Sequence, residues 1–139
     1  MENINFILPE IFISLGIMFL LILGVFKKNG SSIVYILSIV TLLITLGLII
    51  NFPSGQEIYL FNNSYKIDRL STFMKIITII SGIFVLISSY KYTKIEKIFK
   101  IEYSILILCS ILGMLVMISS YDLIVFYIGL ELQSLSLYV

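Results

Sequence analysis

Five apolar stretches punctuate the chain, at roughly Phe6–Phe26, Ile33–Phe52, Leu70–Tyr90, Tyr103–Ser119 and Tyr121–Val139. Each is long enough to cross a hydrocarbon core about 30 Å thick. The fourth is the shortest and still covers about 26 Å as a helix at 1.5 Å per residue. Apolar residues run through these stretches continuously, without the alternation of a strand, so helices are expected and not a β-barrel. Isoleucine and phenylalanine favour strands in water, but a backbone in lipid has to satisfy its own hydrogen bonds. The pattern predicts an all-α integral membrane protein with five transmembrane helices.

The polar intervals set the connections and the orientation. Residues Lys27-Lys28-Asn29-Gly30-Ser31-Ser32 read as a tight helix–helix turn. The second connection, about 53–69, holds Pro53, Gly55 and Asn62-Asn63-Ser64, and its Glu57-Ile58-Tyr59-Leu60-Phe61 reads as a short strand over the outer face. The third alternates Lys94, Glu96, Lys97 and Lys100 with Ile95, Ile98 and Phe99, like an interfacial turn. Lys27, Lys28, Lys91, Lys94, Lys97 and Lys100 follow segments one and three, against Lys66 and Arg69 after segment two. That bias places the first and third connections on the negative side, cytoplasm or matrix, and the N-terminus outward. No basic residue precedes the first segment and no small-residue cleavage pattern follows it, so it reads as a membrane helix and not a cleaved signal.

Composition narrows the classes further. Hydrophobic residues make up 60% of the chain, charged residues 12%, and the mean hydropathy is +1.13; a soluble domain carries about 25% charged residues. A net charge of +1 gives no basic field for nucleic acid. Histidine is absent, which excludes a histidine-based catalytic centre, and the single Cys109 makes neither an internal disulfide nor a zinc cluster. No metal site, phosphate loop or nucleophile–base pair is visible. Alanine is absent too, a hint of an AT-rich coding genome.

Intramembrane ionisable residues are rare and usually functional. Glu131 alone among the charged residues falls near mid-bilayer, about 15 Å into segment five. Inserting an acid there costs on the order of 3 kcal/mol. Tyr127, Glu131, Ser134 and Tyr138 form one stripe of that helix, while Gly129, Gln133 and Ser136 lie opposite. A helix polar on two faces belongs among other helices. Glu131 therefore reads as a proton-carrying carboxylate, with Tyr127, Ser134 and Tyr138 in support. A nearby movable cation would then load and unload its proton. The competing reading is a protonated glutamate that only hydrogen-bonds a neighbouring helix. Elsewhere the structural readings prevail. Glu10 after Pro9 suits a helix start, Lys75 suits an anchor reaching the outer interface, and Asp68-Arg69 suits an interfacial pair. Ser119 and Asp122 suit a capping box, and Cys109 with Gly113 a small-residue packing notch.

Four strings carry a resemblance: Leu8-Pro9-Glu10; Ile67-Asp68-Arg69-Leu70-Ser71-Thr72-Phe73-Met74-Lys75; the run from Leu112 to Leu123; and Tyr127-Ile128-Gly129-Leu130-Glu131-Leu132-Gln133-Ser134-Leu135-Ser136-Leu137-Tyr138. Together they resemble the N-terminal part of the subunit two, or subunit N, family of NADH:quinone oxidoreductase, respiratory complex I. The last string is the most specific. The resemblance implies an antiporter-like membrane-arm subunit that pumps protons, with Glu131 matching the family's fifth-helix glutamate. It implies that NADH, FMN, iron–sulfur clusters and ubiquinone act elsewhere in the complex, with no cofactor or metal in this chain. It also implies three leading helices over residues 1–102 and the first two helices of an incomplete antiporter-like repeat over residues 103–139. The string around Glu131 looks mitochondrial, so the inner mitochondrial membrane is expected, with a bacterial plasma membrane as the alternative.

The family's helix seven, whose lysine modulates the glutamate, has no counterpart here. The expected partners are other membrane-arm subunits, the lipid bilayer, and a second polypeptide that supplies the missing helices; no nucleic acid is expected. Two other functions compete: a structural scaffold of the complex without pumping, and a subunit of a cation/proton antiporter complex.

Overall fold

A computed structural model describes residues 7–26, 31–51, 58–61, 64–95 and 101–138. The elements run α1 (Leu8–Phe26), α2 (Ser31–Asn51), β1 (Ile58–Leu60), β2 (Tyr65–Ile67), α3 (Arg69–Ile95), α4 (Ile101–Ser119) and α5 (Leu123–Tyr138). Residues 27–30 of the expected turn at 27–32, Glu57 of the expected strand, and the 96–100 part of the third connection lie outside the described residues, while Ser31 and Ser32 already belong to α2. All five expected helices are present. The first four are long and apolar enough to cross a membrane, whereas α5 has 16 residues and about 24 Å of rise. It starts two residues later than the apolar stretch because Tyr121 and Asp122 belong to the turn that precedes it.

The helices are apolar on most faces, so sequence amphipathicity does not pick the packed side; neighbours do. Ile13, Ile17 and Leu20 of α1 meet Leu42 and Ile49 of α2, Ile79 and Leu86 of α3, and Leu108, Ile111 and Leu115 of α4. Their spacings of three, four and seven residues place one stripe of each helix inward. The α4 helix is the hub and packs against α1, α2, α3 and α5. Apolar side chains on the other faces stay exposed, among them Leu15, Phe19 and Phe84. That is the arrangement expected where lipid tails are the solvent and close packing, not exclusion of water, holds helices together. Two buried hydroxyls of α2 are satisfied within that helix: Ser38 donates to the Tyr35 carbonyl and Thr45 to the Leu42 carbonyl. Tyr35 ties α2 to α3 by donating to the Leu86 carbonyl.

The second connection forms a hairpin, one strand more than expected. The strands β1 and β2 pair antiparallel, with Ile58 opposite Ile67, Tyr59 opposite Lys66 and Leu60 opposite Tyr65. Leu60, Tyr65 and Ile67 face inward as a small cluster against Ile7 and Val125. The hairpin is fastened to the α4–α5 turn: Tyr121 N donates to the Ser64 carbonyl at 3.0 Å, Tyr65 bridges Ser120, and the Tyr59 and Tyr121 rings meet edge to face at 5.4 Å. It therefore covers the end of the bundle where α1, α3 and α5 begin and α4 stops.

Candidate functional site

Helix α5 begins after Asp122, whose carbonyl accepts from Phe126 N at 3.0 Å and whose Oδ1 accepts weakly from Ile124 N at 3.5 Å. The expected capping box is half present. Asp122 caps, but Ser119 ends α4 and points elsewhere. Small residues decide how α5 turns. Gly113 of α4 lies against the backbone of Gly129 and Gln133, and Gly129 lies against Met117. The Gly113 side of the expected notch is thus used, with Gly129 of α5 seated against it. This contact puts the Gly129, Gln133 and Ser136 face on α4, and Ser136 is buried.

The opposite stripe consequently points away from the bundle. Tyr127 is 61% and Tyr138 84% exposed, and Glu131 and Ser134 are half-buried between them. Glu131 lies about 12 Å along the helix from Leu123. Tyr127 stands one turn before it, with its phenol beside the carboxylate, and Ser134 Oγ donates to the Glu131 carbonyl at 3.1 Å. Among the described residues no basic group pairs with Glu131. The four sequence candidates share one stripe, and nothing described here covers it. Of the two polar faces of α5 expected to lie among helices, one does so within this chain. Gln133 and Ser136 lie on the α4 side, where they edge an open groove of about 700 Å³ between α3, α4 and α5.

A second polar centre was not expected. Lys75 is 3% exposed and Glu10 6%, and Lys75 Nζ lies 2.5 Å from Glu10 Oε1. Tyr65 of the hairpin donates to the same oxygen at 2.8 Å, and Lys75 Nζ lies 3.5 Å from the Tyr65 hydroxyl. The anchor reading of Lys75 does not hold, whereas Glu10 does lie in the first turn of α1 as expected and in addition takes Lys75 and Tyr65 as partners. The hairpin closes over the position where Lys75 would reach the interface, and the ammonium turns inward to the Glu10 carboxylate. The pair is 65 residues apart in sequence, and only the hairpin fold makes it readable. Burial and the Glu10 charge push the Tyr65 phenol well above its ordinary value, so it stays a hydrogen-bond donor.

Asp68 acts at the start of α3 and not as a partner of Arg69. Its Oδ1 accepts from Ser71 N at 2.7 Å, Ser71 Oγ accepts from Asp68 N at 2.9 Å, and Lys66 stands 3.6 Å away. This reciprocal cap holds the Asp68 carboxyl below its ordinary value, chiefly through the Ser71 amide and then through Lys66. Among the described residues no group of three or more Cys, Asp or Glu gathers as a metal site would require.

A bundle of long apolar helices defines a multi-pass membrane protein, and the mid-helix acid on α5 is its candidate functional group. The comparisons make this specific. Over all 139 residues the chain is 68% identical to NADH-quinone oxidoreductase subunit N of Pelagibacter ubique, and over 134 residues 44% identical to that of Bartonella bacilliformis. It covers 30% and 27% of these relatives, so it spans about three tenths of their length. No family model matches. A chain of respiratory complex I from Thermus thermophilus shares the fold, with a TM-score of 0.77 at 18% identity over 94% of this chain and 28% of that one. Over its length, then, the chain is similar in sequence to the N subunits of NADH-quinone oxidoreductase and in fold to a chain of respiratory complex I.

Proposed function

We propose that the chain is a membrane-arm part of a proton-translocating NADH:quinone oxidoreductase and that Glu131 carries protons in a channel completed by further polypeptide. The observation that carries this reading is the placement of Glu131. It sits within an apolar helix, on a stripe with Tyr127, Ser134 and Tyr138 that turns away from the other four helices. A carboxylate on such a stripe is costly against lipid, so protein should cover it and supply a cation that moves. The relatives are more than three times longer than the chain, and their remaining helices are the natural source of that cover. Other subunits of the complex are the expected neighbours. The named relatives are bacterial, which favours a bacterial plasma membrane over the mitochondrial inner membrane expected from the Glu131 string. The structure of the assembled complex tests this reading. A lysine from outside residues 1–139 within reach of Glu131 supports it, and lipid along the whole stripe contradicts it.

A further inference from the structure

Four elements converge at a buried spot that the Glu131 reading leaves unused. Glu10 comes from the first turn of α1, Tyr65 from β2, Lys75 from α3, and Ser119 is the last residue of α4. The hydrogen-bond accounting there is incomplete. Glu10 Oε1 accepts from both Lys75 Nζ and Tyr65 OH, whereas among the described residues the buried Glu10 Oε2 has no donor. Ser119 Oγ, 1% exposed as a residue, adjoins the Tyr65 phenol and, among the described residues, makes no well-formed hydrogen bond beyond that approach. Two orphaned oxygens around one phenol are the kind of place where a buried water sits, donating to the carboxylate and accepting from the hydroxyl.

We propose that Glu10, Tyr65, Lys75 and Ser119 form a second proton-exchange site, in which a buried water held between Glu10 Oε2 and Ser119 Oγ carries protons to and from the Glu10 carboxylate. The loading step balances simply. A hydronium at the water position gives one proton to Oε2; one O–H bond breaks, one forms, and neutral water remains. The pair passes from net neutral to a single positive charge on Lys75, and the reverse step restores it. A buried ion pair contributes little to stability compared with apolar packing, so its presence calls for a chemical use. Access is short, because Lys75 lies about 9 Å along α3 from Arg69, beneath the hairpin.

Among the described residues the groups facing the site are few. Helix α1 presents Glu10, α3 presents Lys75, and α4 contributes only the Ser119 hydroxyl at this end. From β2 Tyr65 faces inward, while Lys66 on the other face of the strand pairs with Asp68. Arg69 and Asp122 are exposed.

The inference rests on the complex I reading for its driving reaction and not on the role of Glu131. NADH-induced infrared difference spectra of the intact complex test it, comparing wild type with Glu10→Gln, Glu131→Gln and Ser119→Ala. The expected result is a carboxyl signal lost in Glu10→Gln, kept in Glu131→Gln, and shifted in Ser119→Ala together with loss of a bound-water signal. If Glu131→Gln removes a carboxyl signal and Glu10→Gln removes none, this site is overturned and the Glu131 reading stands. If neither variant removes one, both fail. Where Glu10→Gln does not assemble, Ser119→Ala decides: it keeps the ion pair, and an unchanged spectrum overturns the proposal.

Discussion

A Cβ built on Gly113 would stand 2.8 Å from the Gly129 carbonyl oxygen and 2.7 Å from Gln133 N, so α4 and α5 meet backbone to backbone. The atoms in the way belong to the main chain and cannot rotate aside. Because this contact aims the Glu131 stripe outward, displacing it also displaces the candidate proton carrier. Gly113→Ala should destabilise the α4–α5 contact by about 1–3 kcal/mol, the usual cost of overpacking. Gly47→Ala should be near neutral, since nothing lies within 4 Å of a Cβ there. Thermal unfolding of the purified complex separates the two, and equal losses would contradict the packing described.

Removing one member of the buried pair leaves the other charge alone. Glu10→Leu or Lys75→Met singly should each cost about 3–5 kcal/mol, while the double variant should recover most of that loss. A double-mutant cycle on unfolding or on assembly yield measures the coupling, and additive losses would mean that the 2.5 Å contact carries none.

At the start of α3 the prediction is one of pH. The Asp68 carboxyl is depressed below its ordinary value, so its contribution is fully present above about 3.9, the unfolded reference, and fades as pH falls through the lower folded value. Asp68→Ala should cost about 1 kcal/mol at neutral pH, in the range of a lost helix cap, and the difference should shrink on acidification below that range. A difference that grows on acidification would contradict the cap. Asp68 is largely solvated, which keeps the charge share of this figure small.

The helices were legible in the sequence because continuous apolar runs of membrane length leave the backbone few alternatives. The stripe of Glu131 was legible as well, since helical spacing fixes which residues share a face. What was hidden depends on contacts between distant elements. Tyr65-Lys66-Ile67 is too short a run to announce a strand, so the hairpin that buries Lys75 was missed, and with it the partnership of Lys75 with Glu10. Ser119 looked like a cap because Asp122 stands three residues on, but the hairpin claims that end of α4. Signals were present in retrospect: a lysine inside an apolar helix and a glutamate near the start of another are each costly, and each shortens the list of partners for the other.

The orientation expected from the placement of basic residues is open to a direct test. In a Cys109-free background, Lys94→Cys should label from the negative side and Phe61→Cys, in the hairpin, from the opposite side. Outer-side labelling at position 94 would invert the topology and place the Glu10–Lys75 site on the other face of the membrane.

The central claim is that Glu131 moves protons. Glu131→Gln keeps the size and the hydrogen-bonding shape of the side chain and removes its ability to ionise. The direct measurement is the number of protons translocated per NADH oxidised in proteoliposomes bearing the intact complex. The account predicts a clear fall in that ratio, in step with loss of coupled turnover, for a complex that assembles normally. An unchanged ratio would contradict it and leave α5 a structural element.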